Sequence, residues 1–149
     1  MIQHVWSVIC QSASIDVQTN SVSLFNTLEN IVVLGELSKE RPFILSCEIM
    51  SLWVREHEDE PVSGQLQAYL VSPEGKDPQS IVLDIDLTRT PFHRTRLTIG
   101  ALSILSTGRF EFCIDYRLAG EEEWRPAARL PFLLSTQSIE SLVDHQQHE

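Results

Sequence analysis

Asp84 and Asp86 stand two residues apart in "SIVLDIDLT", and His93 follows shortly after. Two carboxylates and an imidazole could hold a divalent cation and activate a water, which is the chemistry of a metal-dependent hydrolase. The local pattern argues otherwise. Residues 81, 83, 85 and 87 are all apolar, so the two aspartates share the opposite, polar face of a strand. Hard-cation sites gather several oxygens from loops, whereas this pair sits mid-strand. A solvated face is the simpler reading, with the carboxylates paired to Arg94 and Arg96 on the next strand.

Other candidates are weaker. "REHEDEPVSG", residues 55 to 64, concentrates Glu56, His57, Glu58, Asp59 and Glu60 without the spaced acids and glycine turn of a calcium loop. It reads as a polar hairpin tip, and "EEE" at 121 to 123 as a solvated turn. His145 and His148 lie three residues apart, but two ligands do not close a zinc site. His4, His57 and His93 could serve as bases for Cys10, Cys47, Cys113 or a serine. No nucleophile elbow, cysteine-protease signature, GxGxxG or phosphate loop surrounds them. The expectation is a non-enzyme with no cofactor.

The totals narrow the partners. A chain of 149 residues suits one domain. Its formal net charge is −10, from eleven basic and twenty-one acidic residues. Phosphate recognition needs clustered Lys and Arg, so neither nucleic acid nor an anionic membrane is expected. The three cysteines argue against a disulfide framework. The amino terminus has no basic start and no small-residue cleavage site, and no apolar run reaches the roughly 20 residues a membrane helix needs. The expected location is the cytoplasm.

Period-two alternation dominates the chain. In "RFEFCIDYRL", Phe110, Phe112, Ile114, Tyr116 and Leu118 share one face. Arg109, Glu111, Cys113, Asp115 and Arg117 share the other, so Cys113 is expected to point outward. Leu66, Ala68 and Leu70 oppose Gln67 and Tyr69. Trp124, Ala128, Leu130, Phe132 and Leu134 share a parity, with Pro126 and Pro131 placing that strand at an edge or splitting it. Residues 43 to 54, "FILSCEIMSLWV", are apolar on both parities, as in a central strand covered on both sides. Breakers at Pro42, Pro61, 72 to 78, 90 to 91, Gly100, 106 to 108 and 119 to 123 cut the chain into short segments. The expected domain is 1 to 134, followed by a tail or short helix at 135 to 149.

Residues 22 to 33 allow two readings. A helix would bury Leu24, Leu28 and Ile31. The β-branched run Ile31–Val32–Val33 and the turn chemistry of "DVQTN" favour a hairpin arm, with a helical turn over Asn26 to Asn30 as the alternative.

"WSVIC…ID…TNSVSLFNTLENI", with "STGRFEFCIDY" and "ARLPFLL" later, resembles an uncharacterised bacterial all-β family from about residue 3 to residue 134. Its members share a Trp-Ser-x-x-Cys first strand, a Ser-Leu-Phe-Asn second strand and a Gly-aromatic-x-Phe late strand. The resemblance implies a compact all-β domain and carries over no catalytic residue. More broadly, "STGRFEFCIDY" is similar to a late strand of immunoglobulin-like sandwiches. Cys47, Trp53 and Cys113 follow the Cys–Trp–Cys order of antibody domains, but the six-residue gap and the parity of Cys113 argue against a disulfide.

The fold expected is therefore an all-β, immunoglobulin-like two-sheet β-sandwich of seven to nine mostly antiparallel strands. The function expected is a protein-interaction or assembly module whose partner is another protein or the chain itself. The second apolar parity of 43 to 54, namely Ile44, Met50, Leu52 and Val54, is the candidate interface, joined by the outward Tyr69. The alternatives are a small-ligand or carbohydrate binder using Tyr69 or a loop tryptophan, and the hydrolase built on Asp84, Asp86 and His93.

Overall fold

The computed structural model describes residues 1–140, with only the backbone of Pro78. His145 and His148 lie outside the described residues. Nine strands follow one another: β1 (Ile2–Ile15), β2 (Val22–Thr27), β3 (Asn30–Leu34), β4 (Phe43–Arg55), β5 (Val62–Ser72), β6 (Gly75–Leu87), β7 (Phe92–Ile104), β8 (Gly108–Leu118) and β9 (Arg125–Gln137). They form a four-stranded sheet ordered β2-β1-β4-β7 and a five-stranded sheet ordered β3-β9-β8-β5-β6. Every pairing is antiparallel except β3 with β9. The pairs β4–β7 and β5–β8–β9 occupy the places of strands B, E and C, F, G of an immunoglobulin-like sandwich.

The alternation sorts residues between the sheets as expected. Cys47, Ile49, Ser51 and Trp53 of β4 face inward and are buried, as are Phe110, Phe112 and Ile114 of β8 and Phe132 and Leu134 of β9. Phe132 stacks on both Phe110 and Phe112, at centroid distances of 5.3 and 5.7 Å. On β6 the inward parity is buried only from Ile85 onward: Ile85 and Leu87 are fully covered, Leu83 is half-buried and Ile81 is 44% exposed. Its upstream half runs past the edge of the core.

Trp53 is fully buried, and its indole N–H donates to Thr95 Oγ1 at 3.0 Å. Beside it His4 packs edge-on at 5.0 Å and bonds Ser7 Oγ through Nε2 at 2.7 Å. Ser7 continues to Ser51 Oγ at 2.6 Å. This chain of hydrogen bonds satisfies the polar groups on the inner face of β1 and β4.

Residues 22 to 33 are strands, as the β-branched run favours, but not one arm. β2 completes a hairpin with β1 up to Thr27, after which the chain changes sheet. Asn26, with φ 52°, is in the left-handed region that Asn tolerates, so no helical turn forms. The hairpin's own turn is built as the sequence implies. Asp16 Oδ1 accepts from the backbone N–H of Gln18 and Thr19, which lowers its pKa, and Asn20 has φ 58°.

Two expectations need correction. The final strand reaches Gln137 rather than ending at Leu134, because 133 to 137 pair with β3. Pro126 and Pro131 sit upstream of that pairing, where the outer edge of β9 is open, and Ala127 bulges beside Pro126. Residues 56 to 61 are not a hairpin tip: β4 and β5 lie in different sheets, so this acidic segment is a crossover. Arg55 fixes it, donating to the carbonyl oxygens of Glu58, Leu87 and Thr88.

Candidate interaction site

The thirteen-residue strands β6 and β7 are the edges of their sheets on the same flank of the sandwich. They are consecutive in the chain, joined at 88 to 91, and separate from that end. Both are bulged where they part. On β6, Ser80 pairs with Tyr69 but Lys76 with Val71, so residues 77 to 79 together oppose Leu70. On β7, Gly100 and Ala101 together oppose Ser46. A gap of about 260 Å³ opens between the bulges. Its walls include Asp77, Gln79 and Ile81 of β6 and the segment 97 to 102 of β7, and its floor is Leu70 and Phe112 of the core. A second hollow of about 340 Å³ continues it toward Leu105, Gly75 and Phe110. Gly100 stands at this mouth in open space: a Cβ built there meets no atom within 4 Å.

The candidate interface on β4 lies on the outer face of the four-stranded sheet, as its parity requires. Ile44 is 49% exposed, and Leu52 and Val54 are half-buried. Met50 is the exception and corrects the expectation: it is 0% exposed. The β1–β2 hairpin curls over it, and Met50 forms a second small core with Cys10 and Ala13, flanked by Trp6, Val22 and Leu24. Glu48 accepts from Ala13 N–H at 2.7 Å, and Arg96 donates to Ala13 O at 2.9 Å, so the hairpin is held by polar bonds as well. Trp6 therefore also points to an outer face, just past a bulge in which Val5 is an extra residue of β1 against β4.

Tyr69 is on the outer face of the five-stranded sheet, at the lip of the gap. The Lys76 ammonium lies 4.1 Å over its ring, so one aromatic face is taken. Beside it, Cys113 and Asp115 do point outward, yet both are buried. Arg129 bonds Asp115 at 3.0 Å and Gln67 bonds it at 3.2 Å, making a lid of polar side chains over that strand. Arg117 adds to the lid, lying over the Trp124 ring at 4.3 Å.

The proposed metal set does not assemble as its spacing suggests. β6 and β7 are in different sheets, so Arg94 and Arg96 do not pair with the aspartates. Arg94 donates to Asn20 and Arg96 to Glu48. Asp84 accepts from Gln65, and Asp86 accepts from the N–H and hydroxyl of Thr88. His93 Nδ1 is 3.0 Å from the backbone oxygen of Asp86, not from its carboxylate. Among the described residues no three His, Cys, Asp or Glu side chains converge on one point.

All three cysteines are free and buried. Burial raises the pKa of each thiol, that of Cys47 to about 11. Among the described residues no helix is long and apolar enough to cross a membrane.

No protein-family model matches the chain, and no curated protein matches it. Among solved structures it is similar to the periplasmic chaperone SfaE, with a TM-score of 0.37 and 12% identity over 75% of this chain. The chain spans 57% of that chaperone's length.

Proposed function

We propose that this domain is a non-enzymatic interaction module that receives an extended segment of a partner protein, or of a second copy of itself, along the β6/β7 flank. One observation supports the reading above others: two long edge strands border an opening whose floor is the hydrophobic core itself. An edge strand offers unpaired N–H and C=O groups to an added strand, and alternate side chains of that strand can enter a flanking pocket. Here the straight part of β7 upstream of Gly100 supplies the edge, and the gap supplies the pocket. Ile81 and Leu105 at the rim and Ile44 on the neighbouring outer face would extend the apolar contact; Ile81 and Leu105 are each 44% exposed and Ile44 49%.

Gly100→Trp is the test. The glycine faces open space and has no left-handed φ, so the indole should plug the mouth without disturbing the fold. The native chain and this variant serve as paired baits for affinity capture from the native cell, and both are sized by chromatography with light scattering. The reading expects a partner, or a self-associated form, that the variant loses. Equal capture by both baits, or a native chain that stays monomeric and captures nothing, removes it.

A small-ligand reading draws on the same gap, with Asp77, Gln79 and Tyr69 as its polar rim. The Lys76 ammonium over Tyr69 weakens the carbohydrate version, which needs a free aromatic face.

A further inference from the structure

The tip of the β1–β2 hairpin does not touch down flat on the outer face of the four-stranded sheet. Between the two lies a cleft of about 710 Å³, on the opposite side of that sheet from the core. Three apolar side chains line it: Ile15 from the hairpin, Leu52 from β4 and Phe92 from β7. Ile15 is 40% and Phe92 62% exposed, a large apolar area for a site open to water. Arg94 stands among them.

The charge of this cleft is opposite to that of the molecule. The chain carries −10 overall, yet among the described residues no Asp or Glu lines the cleft. Arg94 is already oriented, donating Nη1–H to Asn20 Oδ1 at 3.1 Å and Nη2–H to Asn20 O at 2.6 Å. A guanidinium has five N–H donors, so these two bonds fix the fork and leave others for an incoming acceptor. His93 shares the inward parity of Thr95 and bonds the Asp86 carbonyl oxygen of the other sheet through Nδ1, so the cation offered to the cleft is Arg94.

We infer that this cleft binds a small amphipathic organic anion, its hydrocarbon body laid against Ile15, Leu52 and Phe92 and its carboxylate or similar head on Arg94. The volume falls in the range of roughly 300–1,000 Å³ typical of ligand pockets. Three apolar side chains lie beside the polar group formed where Arg94 bonds Asn20, and such a mix is how ligand pockets set orientation. The site is separate from the β6/β7 gap and does not depend on it.

Decanoate and decyltrimethylammonium, equal in chain length and opposite in charge, are the probes, each kept below its micelle concentration. Nuclear magnetic resonance titration of the full chain should show saturable shifts at Ile15, Leu52 and Phe92 with decanoate. The cationic probe should bind at least about ten-fold more weakly. Arg94→Gln should weaken decanoate by about ten-fold or more, whereas Arg109→Gln, the same charge change on the other sheet, should not. Because Arg94 also steadies the hairpin, Phe92→Gln provides a second variant at an exposed position and should weaken both probes. Equal binding of the two probes overturns the inference. So does an Arg94→Gln protein that binds like Arg109→Gln, or the absence of saturable shifts at these three residues.

Discussion

Glu48 and Arg96 face each other diagonally across β4 and β7 at 2.8 Å, and between them they grip both peptide groups of Ala13. The pair is a clamp on the hairpin rather than a surface ornament. As an ion pair with Arg96 43% exposed it would contribute under about 1 kcal/mol. Glu48→Ala also leaves the Ala13 N–H without its charged acceptor, so the total loss should be about 2 kcal/mol. Glu48→Gln keeps an acceptor and should lose less. Urea denaturation reads the stability. Hydrogen exchange at the Ala13 amide should accelerate in both variants, more in the alanine one.

Thr95 is the acceptor for the fully buried indole of Trp53. Thr95→Val keeps the shape and removes the oxygen, leaving a buried donor unmet. A loss of about 1–3 kcal/mol should follow, with a shifted Trp53 emission in the native state. A variant as stable as the parent would show that water reaches the indole.

Gly64 has no room for a side chain. A Cβ there would lie 2.3 Å from the carbonyl oxygen of Arg117 and 2.8 Å from Ile2 Cδ1. Gly64→Ala must push β5 from β8, at a cost of about 1–3 kcal/mol. Gly100→Ala, with open space around it, should leave the midpoint nearly unchanged. The two alanine variants together separate crowding from a general glycine effect.

His4 should make stability depend on pH. Burial against Trp53 pushes its pKa below the ordinary 6.5, while its hydrogen bond with the Trp6 backbone opposes the shift. The unfolded chain therefore takes up the proton first as pH falls below about 6.5. Stability should be full above that pH and decline below it, levelling once the folded imidazole is also protonated. His4→Gln should remove this part of the slope. Parallel pH profiles of the denaturation midpoint for the two proteins check it.

The three thiols should resist modification in the native protein. Each is buried, and burial raises each pKa, Cys47 to about 11. At pH 8 a disulfide reagent should find no fast thiol, and three in guanidinium. Rapid native labelling of Cys10 alone would mean that the hairpin lifts from the sheet.

The alternation in 81 to 87 and 109 to 118 was enough to name inner faces, because a period of two leaves only one way to bury Ile85 or Phe112. It said nothing of which strand lies beside which. That is why alternation alone pairs Arg94 with aspartates that lie in another sheet, and makes 56 to 61 read as a tip. Outer faces were legible only in part. Met50, Cys113 and Asp115 point outward as their parity demands, but long-range neighbours cover them: a curled hairpin in one case, and Arg129 with Gln67 in the other. The cleft had no signal at all in the chain, since Ile15, Leu52 and Phe92 are far apart in sequence and meet only through the hairpin's curl.

The parallel union of β3 with β9 has a kinetic consequence. Asn30 and its neighbours leave the ribosome about a hundred residues before Leu133, their mate. An early-made ribbon must therefore wait, its edge unsatisfied, until β9 has been made. Such distant pairing makes for slow closure and a vulnerable nascent chain. The five-stranded layer is sealed from its oldest end by its youngest.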